Sequence, residues 1–397
     1  MTPTAASRAG GWWVWPAVAA LLFAAAFGTN VPTPLLLIYR VRLGIAPSGL
    51  AAIFGVYALG LAPSLLFGGP ASDRYGRARV LVPAVVLTGV ASLIFLPGAG
   101  SGAGSVAVLF VARFVQGLAS GAAFSVGSAW LQELVGPVLA ARRASVALNL
   151  GFCAGPLTSG LLAETTAAPL TVPYLVHVTL VVVVSAGAMT LIRRSRPARV
   201  GLKPAGPAHS LLPRAGLTTP ARRIFRRTVI PTAVCVYAFP SVAVTVLPLE
   251  LPHRAHLVAF TGVLAAAALG AGTLVQPVAH RLGPWCGVAG VALGALGYGA
   301  GALAAAPQST GLVLVGGVLL GAGGGLCLND GLRLVGELAP PQSRGACNGL
   351  FYTWAYAGFA MPLLATSFVP VTRIVVPLLV LAAGAATVAA RLALVRH

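Results

Sequence analysis

The residue of this sequence best placed to do chemistry is an arginine inside an apolar run. Arg113 begins the string Arg113-Phe114-Val115-Gln116-Gly117, and the residues around it are hydrophobic over a bilayer-spanning length. A charge at that depth costs at least ~2.5–3.5 kcal/mol on insertion scales, and such residues are functional candidates by default. An alternative of equal weight is a structural role beside a cavity, in which the guanidinium donates hydrogen bonds to backbone carbonyls or to Gln116.

The six acidic residues offer few partners for proton transfer. Five stand near the ends of apolar runs: Asp73, Glu133, Glu164, Glu250 and Glu337. Only Asp330 falls within a run, and Arg333 follows it one helical turn later. That spacing favours a structural i,i+3 ion pair near one membrane face, with a titrating Asp330 as the second interpretation.

Composition excludes a soluble protein. Of 397 residues, 58% are hydrophobic and 8% are charged, whereas soluble domains carry about 25% charged residues. The net charge of +20 resides in basic residues between the apolar runs, which is not the clustered face of a nucleic-acid binder. The sequence has no carboxylate pair, no nucleophile beside a base and no Cys/His metal spacing. We therefore predict neither an enzyme, a metal site nor a cofactor.

Twelve apolar runs predict an all-α integral membrane protein. They lie near 12–39, 47–70, 78–97, 105–133, 144–166, 172–193, 228–249, 257–279, 285–306, 311–337, 345–368 and 373–394. With the N-terminus inside, the cytoplasmic segments carry 20 basic residues and the external loops carry 4. This excess of positive charge predicts that both termini are cytoplasmic.

One long hydrophilic segment divides the spans six and six. Residues 194–227 are rich in Pro and Arg and predict a cytoplasmic linker between an N-terminal half, 1–193, and a C-terminal half, 228–397. A contact of its basic ends with lipid headgroups is a second interpretation. The halves echo one another, since the segment from Gly69 to Gly76 matches the segment from Gln276 to Gly283. Duplicated six-span halves are the architecture of a large class of transporters.

The turn after span two carries the most specific motif, GPASDRYGRAR at 69–79. It resembles the signature GxxxDRxGRxx of the major facilitator superfamily. Span four is similar to the family's RxxQG motif, and GFCAGP at 151–156 in span five is similar to the GxxxGP motif of its proton-coupled exporters. Three motifs in the expected spans and order resemble this family over the whole chain. The resemblance implies twelve transmembrane helices in two six-helix pseudo-repeat halves.

The resemblance also implies roles for the motif residues. It implies a conformational latch that closes the cytoplasmic side, made by Gly69, Asp73, Arg74, Gly76 and Arg77 with Glu133 as partner. It implies proton coupling through Arg113, with Asp330 as a further candidate. Span five would either bend to favour exchange over leak or serve close helix packing, through Gly151, Gly155, Pro156 and Gly160. Many exporters of the family carry an acid in span one, where this sequence has Asn30, so the coupling residue stays open.

Substrate contacts are expected from polar and aromatic residues on the spans that line the cavity in this family: Asn30, Tyr57, Gln116, Tyr237, Asn329, Tyr352, Trp354 and Tyr356. We therefore predict a secondary active transporter of the cell membrane that exports small amphipathic compounds in exchange for protons by alternating access. Its expected partners are a small-molecule substrate, the proton and the lipid bilayer, without nucleic acid. The alternatives are a proton-coupled importer of a sugar or metabolite and a non-transporting membrane scaffold. Few buried polar residues argue against a sugar, because each hydroxyl needs a partner.

Overall fold

The computed structural model describes residues 14–100, 103–194, 217–251, 255–340, 344–368 and 373–396, and the regular structure of these residues is helical. The helices before the linker are α1 (Trp15–Asn30), α2 (Pro32–Leu43), α3 (Pro47–Tyr75), α4 (Arg77–Ile94), α5 (Ala103–Val135), α6 (Pro137–Thr165) and α7 (Val172–Arg194). Those after it are α8 (Thr219–Ile224), α9 (Ile230–Thr245), α10 (Leu257–Leu274), α11 (Gln276–Leu282), α12 (Cys286–Ala304), α13 (Thr310–Leu338), α14 (Arg344–Ala357), α15 (Met361–Ser367) and α16 (Val375–Arg396). Short 3₁₀ turns follow α4, α9, α11 and α14, and a π-helical turn, Phe225–Val229, joins α8 to α9.

Eleven helical stretches of the described chain are long and apolar enough to cross a membrane. The predicted eleventh span, 345–368, is not among these stretches: α14 ends at Ala357, a 3₁₀ turn follows over Gly358–Ala360, and α15 completes the span. The helix of the seventh stretch begins at Thr219, inside the segment that the sequence presents as linker, while 195–216 lie outside the described residues. Eleven of the twelve predicted runs thus correspond to helical stretches of membrane-crossing length, and the remaining run consists of two shorter helices joined by a 3₁₀ turn.

Contacts divide the chain into two compact units, Met1–Gly44 with Val56–Ala208 and Ile45–Gly55 with His209–His397. In the first unit α1 is the central helix, since it packs against α4, α5, α6 and α7. Its sequence is apolar on every face, and Val18, Leu21 and Leu22 are fully buried. A helix that is hydrophobic all round has to be surrounded by other helices or by lipid.

A buried histidine ties three helices of the first unit together. In His177 on α7, Nδ1 lies 2.7 Å from Ser92 Oγ on α4, and Nε2 lies 3.1 Å from the carbonyl oxygen of Ala24 on α1. Because a carbonyl oxygen only accepts, Nε2 carries the proton and the Ser92 hydroxyl donates to Nδ1. Both ring nitrogens are satisfied, and the ring also stacks on Phe27. His177 is therefore a structural residue of the core.

In the second unit α13 takes the central place. It packs against α12, α10 and α9, and a run of small residues lets the helices approach closely. Charged residues of α13 are confined to its C-terminal third, at Asp330, Arg333 and Glu337. The rest of this helix is apolar, which suits a helix enclosed by others within a bilayer.

Candidate functional site

The turn between α3 and α4 is held by one arginine that bridges two carboxylates. Nη2 of Arg77 lies 2.6 Å from Oδ1 of Asp73 and 2.7 Å from Oε1 of Glu133, and Nε also donates to Glu133 at 3.0 Å. Arg77 Nη1 donates to the buried hydroxyl of Ser72, whose own proton goes to the carbonyl of Gly69. The structure therefore joins the ends of α3 and α5 to the start of α4 through a single guanidinium.

The structure also gives the positions of the remaining residues of the predicted latch, Gly69, Gly76 and Arg74. Gly69 does not form a corner of the turn, because α3 continues as a helix to Tyr75. The corner is Gly76 alone, with φ +99°, a backbone conformation that side-chain-bearing residues rarely adopt. Arg74 is exposed and places its guanidinium 5.5 Å from the ring centre of its neighbour Tyr75. The sequence missed Ser72, which is buried and completes the arginine site.

Arg113 is buried within the first unit and contacts several neutral groups. Its Nη1 donates to the carbonyl oxygen of Thr29 at 2.9 Å and to Oε1 of Gln116 at 2.8 Å. The amide of Gln116 in turn donates to the carbonyl oxygen of Gly28 at 2.6 Å. The guanidinium carbon also lies 5.1 Å from the ring centre of Tyr57, within cation–π range.

This arrangement gives the cation the kinds of partner that the sequence allowed, a backbone carbonyl and Gln116. It also forms a continuous polar cluster, because Thr29 Oγ1 lies 3.2 Å from Ser120 Oγ. We call Thr29, Tyr57, Arg113, Gln116 and Ser120 the Arg113 cluster; each of them is at most 5% exposed. Tyr57 and Gln116, both predicted substrate contacts, belong to it. A polar cluster in the apolar core of a membrane protein is a functional-site candidate.

Helix α6 reaches α1 through two of its motif glycines. A Cβ added at Gly155 would overlap the carbonyl oxygen of Phe27, and one added at Gly151 would lie 2.5 Å from the carbonyl oxygen of Phe23. Pro156 lies inside the continuous helix, and Gly160 is buried. This is the close packing that the sequence allowed as one of two interpretations. It also sets α6 against the stretch of α1 that supplies carbonyls to the Arg113 cluster.

The second-unit acid that the sequence singled out forms an ion pair. Oδ1 of the fully buried Asp330 lies 2.8 Å from Nη2 of Arg333, whose Nη1 lies 2.6 Å from Oε1 of Glu337. The i,i+3 and i,i+4 spacings place all three groups on one face of α13. The contact is the structural pair that the spacing favours.

Aromatic residues of α9, α14 and the following turn stack on one another in the second unit. The ring centres of Tyr237 and Tyr356 are 5.1 Å apart with planes inclined by 7°, and Tyr237 and Phe359 are also 5.1 Å apart. Tyr352 lies 6.3 Å from Tyr356. We call Tyr237, Tyr352, Tyr356 and Phe359 the aromatic cluster; all four side chains are partly exposed. Three of them were predicted as substrate contacts, and Phe359 was missed.

The other predicted substrate contacts do not join these clusters. Trp354 is 40% exposed, and its position between Tyr352 and Tyr356 turns it to the opposite side of α14. Asn30 is partly buried, and its Oδ1 accepts from Thr33 at 3.4 Å. Asn329 is partly buried beside Asp330 in sequence. The structure thus divides the predicted residues between two clusters and three separate positions.

A carboxyl group that the sequence placed at a span end is buried. Glu250 closes the 3₁₀ turn after α9 and is 4% exposed, and its Oε1 has no hydrogen-bond partner among the described residues. The turn packs against α9, α12 and α13. Neither α12 nor the first twenty residues of α13 carries a charged side chain, while His253 and Arg254 lie outside the described residues. Sequence patterns give no signal for this burial, because hydropathy places the residue at a boundary.

The sequence of the chain matches the model of a known protein family. The family model described as Major Facilitator Superfamily matches residues 18–394. The chain therefore belongs to the major facilitator superfamily, a family of transporters, and is a multi-pass membrane protein.

Individual relatives match only segments of the chain. A 3-(3-hydroxy-phenyl)propionate transporter of Escherichia coli (strain K12) is 35% identical over 131 residues, 30% of each chain. The multidrug resistance protein MdtL of Klebsiella pneumoniae (strain 342) is 34% identical over 91 residues, 23% of this chain and 22% of its own. The probable sulfoacetate transporter SauU of Cupriavidus necator is 34% identical over 95 residues, 24% of this chain and 20% of its own. The matches span less than a third of each of these relatives.

Solved structures share the fold over nearly the whole length. A peptide transporter POT in complex with sulfate superposes with a TM-score of 0.78 at 14% identity, covering 97% of this chain and 94% of that one. A mutant of the nucleoside transporter NupG superposes with a TM-score of 0.75 at 14% identity, covering 96% of this chain and 99% of that one. At these identities the likeness concerns the fold alone.

Proposed function

We propose that the protein exports small amphipathic compounds across the cell membrane in exchange for protons, by alternating access. The observation that carries the proposal is the partly exposed aromatic cluster of Tyr237, Tyr352, Tyr356 and Phe359. Stacked rings offer a flat apolar surface with few hydrogen-bond demands, which suits amphipathic ligands better than sugars. The similarity of one segment to multidrug resistance protein MdtL supports export.

The proposed coupling machinery combines a buried cation with buried carboxyl groups. Arg113 is a charged residue buried inside the first unit. Because electrostatic interactions are stronger at low dielectric constant, a change in the contacts of Arg113 would change the energy of the site strongly. Glu250 joins Arg113 and Asp330 as a candidate, because its carboxyl group is buried and its Oε1 has no hydrogen-bond partner among the described residues, an arrangement that is costly for a charged carboxylate. Asp330 is the less favoured candidate of the two carboxyl groups, since it already forms an ion pair with Arg333.

The proposed orientation places both termini in the cytoplasm. It follows from the 20 basic residues of the segments on that side against 4 on the other. The bridge made by Arg77 then lies at the cytoplasmic ends of α3 and α5, where a latch would act.

The test is the accumulation of fluorescent lipophilic dyes in cells that express the chain, with and without a protonophore. We expect expression to lower accumulation, and the protonophore to abolish the effect. Arg113→Ala should remove the dependence on the proton gradient, and Arg113→Lys, which keeps the charge but not the planar fork, should restore it only in part. Protonophore-insensitive transport by the wild type would refute proton coupling.

The proposed role of Glu250 in proton coupling is tested by one substitution and a matched control. Glu250→Gln keeps the size of the side chain and removes its titration, whereas Glu164→Gln does the same at another acid near a span end. We expect the dependence of transport on external pH to flatten in Glu250→Gln alone. Equal pH profiles in the wild type and Glu250→Gln would exclude Glu250 as the coupling group.

A second candidate function is the uptake of an organic anion. Two relatives are named as transporters of 3-(3-hydroxy-phenyl)propionate and of sulfoacetate, and a buried arginine is a natural partner for a carboxylate or sulfonate. Radiolabelled 3-(3-hydroxyphenyl)propionate, supplied to the same cells, separates the two directions. Expression-dependent uptake would favour the importer. If no dye and no anion were transported, the result would favour the alternative of a non-transporting membrane scaffold.

A further inference from the structure

A basic recess marks the start of the helical stretch that leads into the second unit. It has a volume of about 440 Å³ and is lined by Thr219, Arg222, Arg223, Arg226 and Arg227. All four arginines are exposed. They precede the apolar residues of α9 directly, so the recess lies at one end of a stretch, Thr219–Glu250, that is long enough to cross a bilayer.

The local backbone explains why the four arginines share one side. Their spacing repeats at i,i+4, which stacks Arg222 over Arg226 and Arg223 over Arg227 along α8 and the π-helical turn. Phe225, Thr228 and Val229 occupy the other side of the turn and are at most 4% exposed. Burial of that side fixes the helix against the second unit and leaves the arginines on the outer side.

Positive charge in the recess is not neutralised by acidic side chains of the described residues. None of the four arginines forms an ion pair within the part of the chain that the structure describes. Four of the six acids of the sequence bind other arginines, Asp73 and Glu133 through Arg77 and Asp330 and Glu337 through Arg333. Four like charges on two turns of helix repel one another, and a bound anion would relieve this repulsion.

We infer that the recess binds the phosphate of an anionic phospholipid headgroup. The guanidinium fork matches the oxygen geometry of a phosphate and binds it through paired N–H groups. The position at the end of a bilayer-length helix puts the arginines at the depth where headgroups lie. The volume of the recess admits a headgroup as well as its phosphate. This inference does not depend on what the protein transports.

The experiment counts lipids on the purified full-length protein by native mass spectrometry, while phosphatidylglycerol or phosphatidylcholine is added. We expect the wild type to retain phosphatidylglycerol preferentially. The double variant Arg222→Gln/Arg226→Gln should bind it up to roughly 25-fold more weakly, since each ion pair between an exposed arginine of the recess and the bound phosphate contributes up to about a factor of five. Arg223→Gln/Arg227→Gln is a second variant of the same recess. Size-exclusion profiles and melting temperatures establish that each variant is folded.

The matched control removes the same charge from the other end of the linker. Arg193 and Arg194 are exposed in the last turn of α7, and Arg193→Gln/Arg194→Gln should leave phosphatidylglycerol binding within about twofold of the wild type. An equal loss in this control would show a general effect of net charge and overturn the inference. Competition by inorganic phosphate at concentrations equal to those of the lipid would also overturn it, because it would identify a site for a soluble anion.

Discussion

Removal of the Arg77 guanidinium should leave two carboxylates facing one another without a cation. Their oxygens lie 2.6 and 2.7 Å from the same nitrogen, so they are at most about 5.3 Å apart and repel by about 0.8 kcal/mol in bulk water or about 3 kcal/mol at an effective dielectric constant of 20. Asp73 and Glu133 are each more than half exposed, so the value for water is the closer one. With about 0.2–1 kcal/mol lost for each of the two ion pairs in addition, Arg77→Gln should destabilise the turn by about 1–3 kcal/mol.

Thermal unfolding in detergent measures this cost. Trp15 and Trp130 pack against the core of the first unit and report its unfolding by fluorescence. Arg77→Gln should lower Tm by about 3–6 °C. Arg79→Gln is the matched control, because Arg79 is exposed in the same basic segment and makes no ion pair among the described residues. Its Tm should equal that of the wild type within about 1 °C.

A double variant separates repulsion from the loss of favourable contacts. Arg77→Gln/Glu133→Gln removes one of the two facing charges, so it should be more stable than Arg77→Gln alone. Added salt should narrow the difference between the two variants, because the carboxylates are accessible to ions. If the double variant unfolded at the same temperature as the single one, or below it, the bridging role of Arg77 would be refuted.

Three further substitutions test the packing and the polar contacts. Gly155→Ala should destabilise the protein by about 1–3 kcal/mol, as overpacking does, whereas Gly187→Ala should have little effect because no atom lies within 4 Å of its added Cβ; Tm comparison of the two decides this. Ser92→Ala should cost about 1–3 kcal/mol in thermal unfolding, because Nδ1 of His177 loses its hydrogen-bond partner, and an unchanged Tm would contradict a stabilising role of this hydrogen bond. Asp330→Asn should lower Tm while the pH profile of transport stays unchanged; a flattened profile would instead make Asp330 a coupling group.

The membrane architecture could be predicted from the sequence because hydropathy and helix length are coupled directly by bilayer thickness. The break at Gly358 could not, since the apolar run continues through it without a polar residue. The i,i+3 spacing of Asp330 and Arg333 predicted a contact that the structure contains. Helical periodicity fixes such local geometry before any tertiary packing is known.

Contacts between distant segments account for what the sequence left open. The resemblance implied a latch that includes Arg77 and Glu133, but the sequence did not show that Arg77 is the residue that contacts Glu133, because this contact depends on the approach of α5. The stack of Tyr237 on Tyr356 joins residues more than a hundred positions apart, so neither residue alone distinguished a ligand surface from core packing. The burial of Glu250 depends on how α12 and α13 pack against its turn. None of these neighbours is encoded by spacing.

The interrupted eleventh span has a consequence for the assembly of the protein. The 3₁₀ turn Gly358–Ala360 interrupts the regular α-helical hydrogen bonding, and lipid offers no hydrogen bonds to a backbone group that lacks a helical partner. The turn lies so close to α9 that a Cβ added at Gly358 would overlap the carbonyl oxygen of Val234. The turn is therefore packed against α9 rather than exposed to the bilayer on this side. During biosynthesis we expect the segment from α14 to α15 to adopt its final structure only after α9 has inserted into the membrane. The second unit would then be completed late, and in a fixed order of helices.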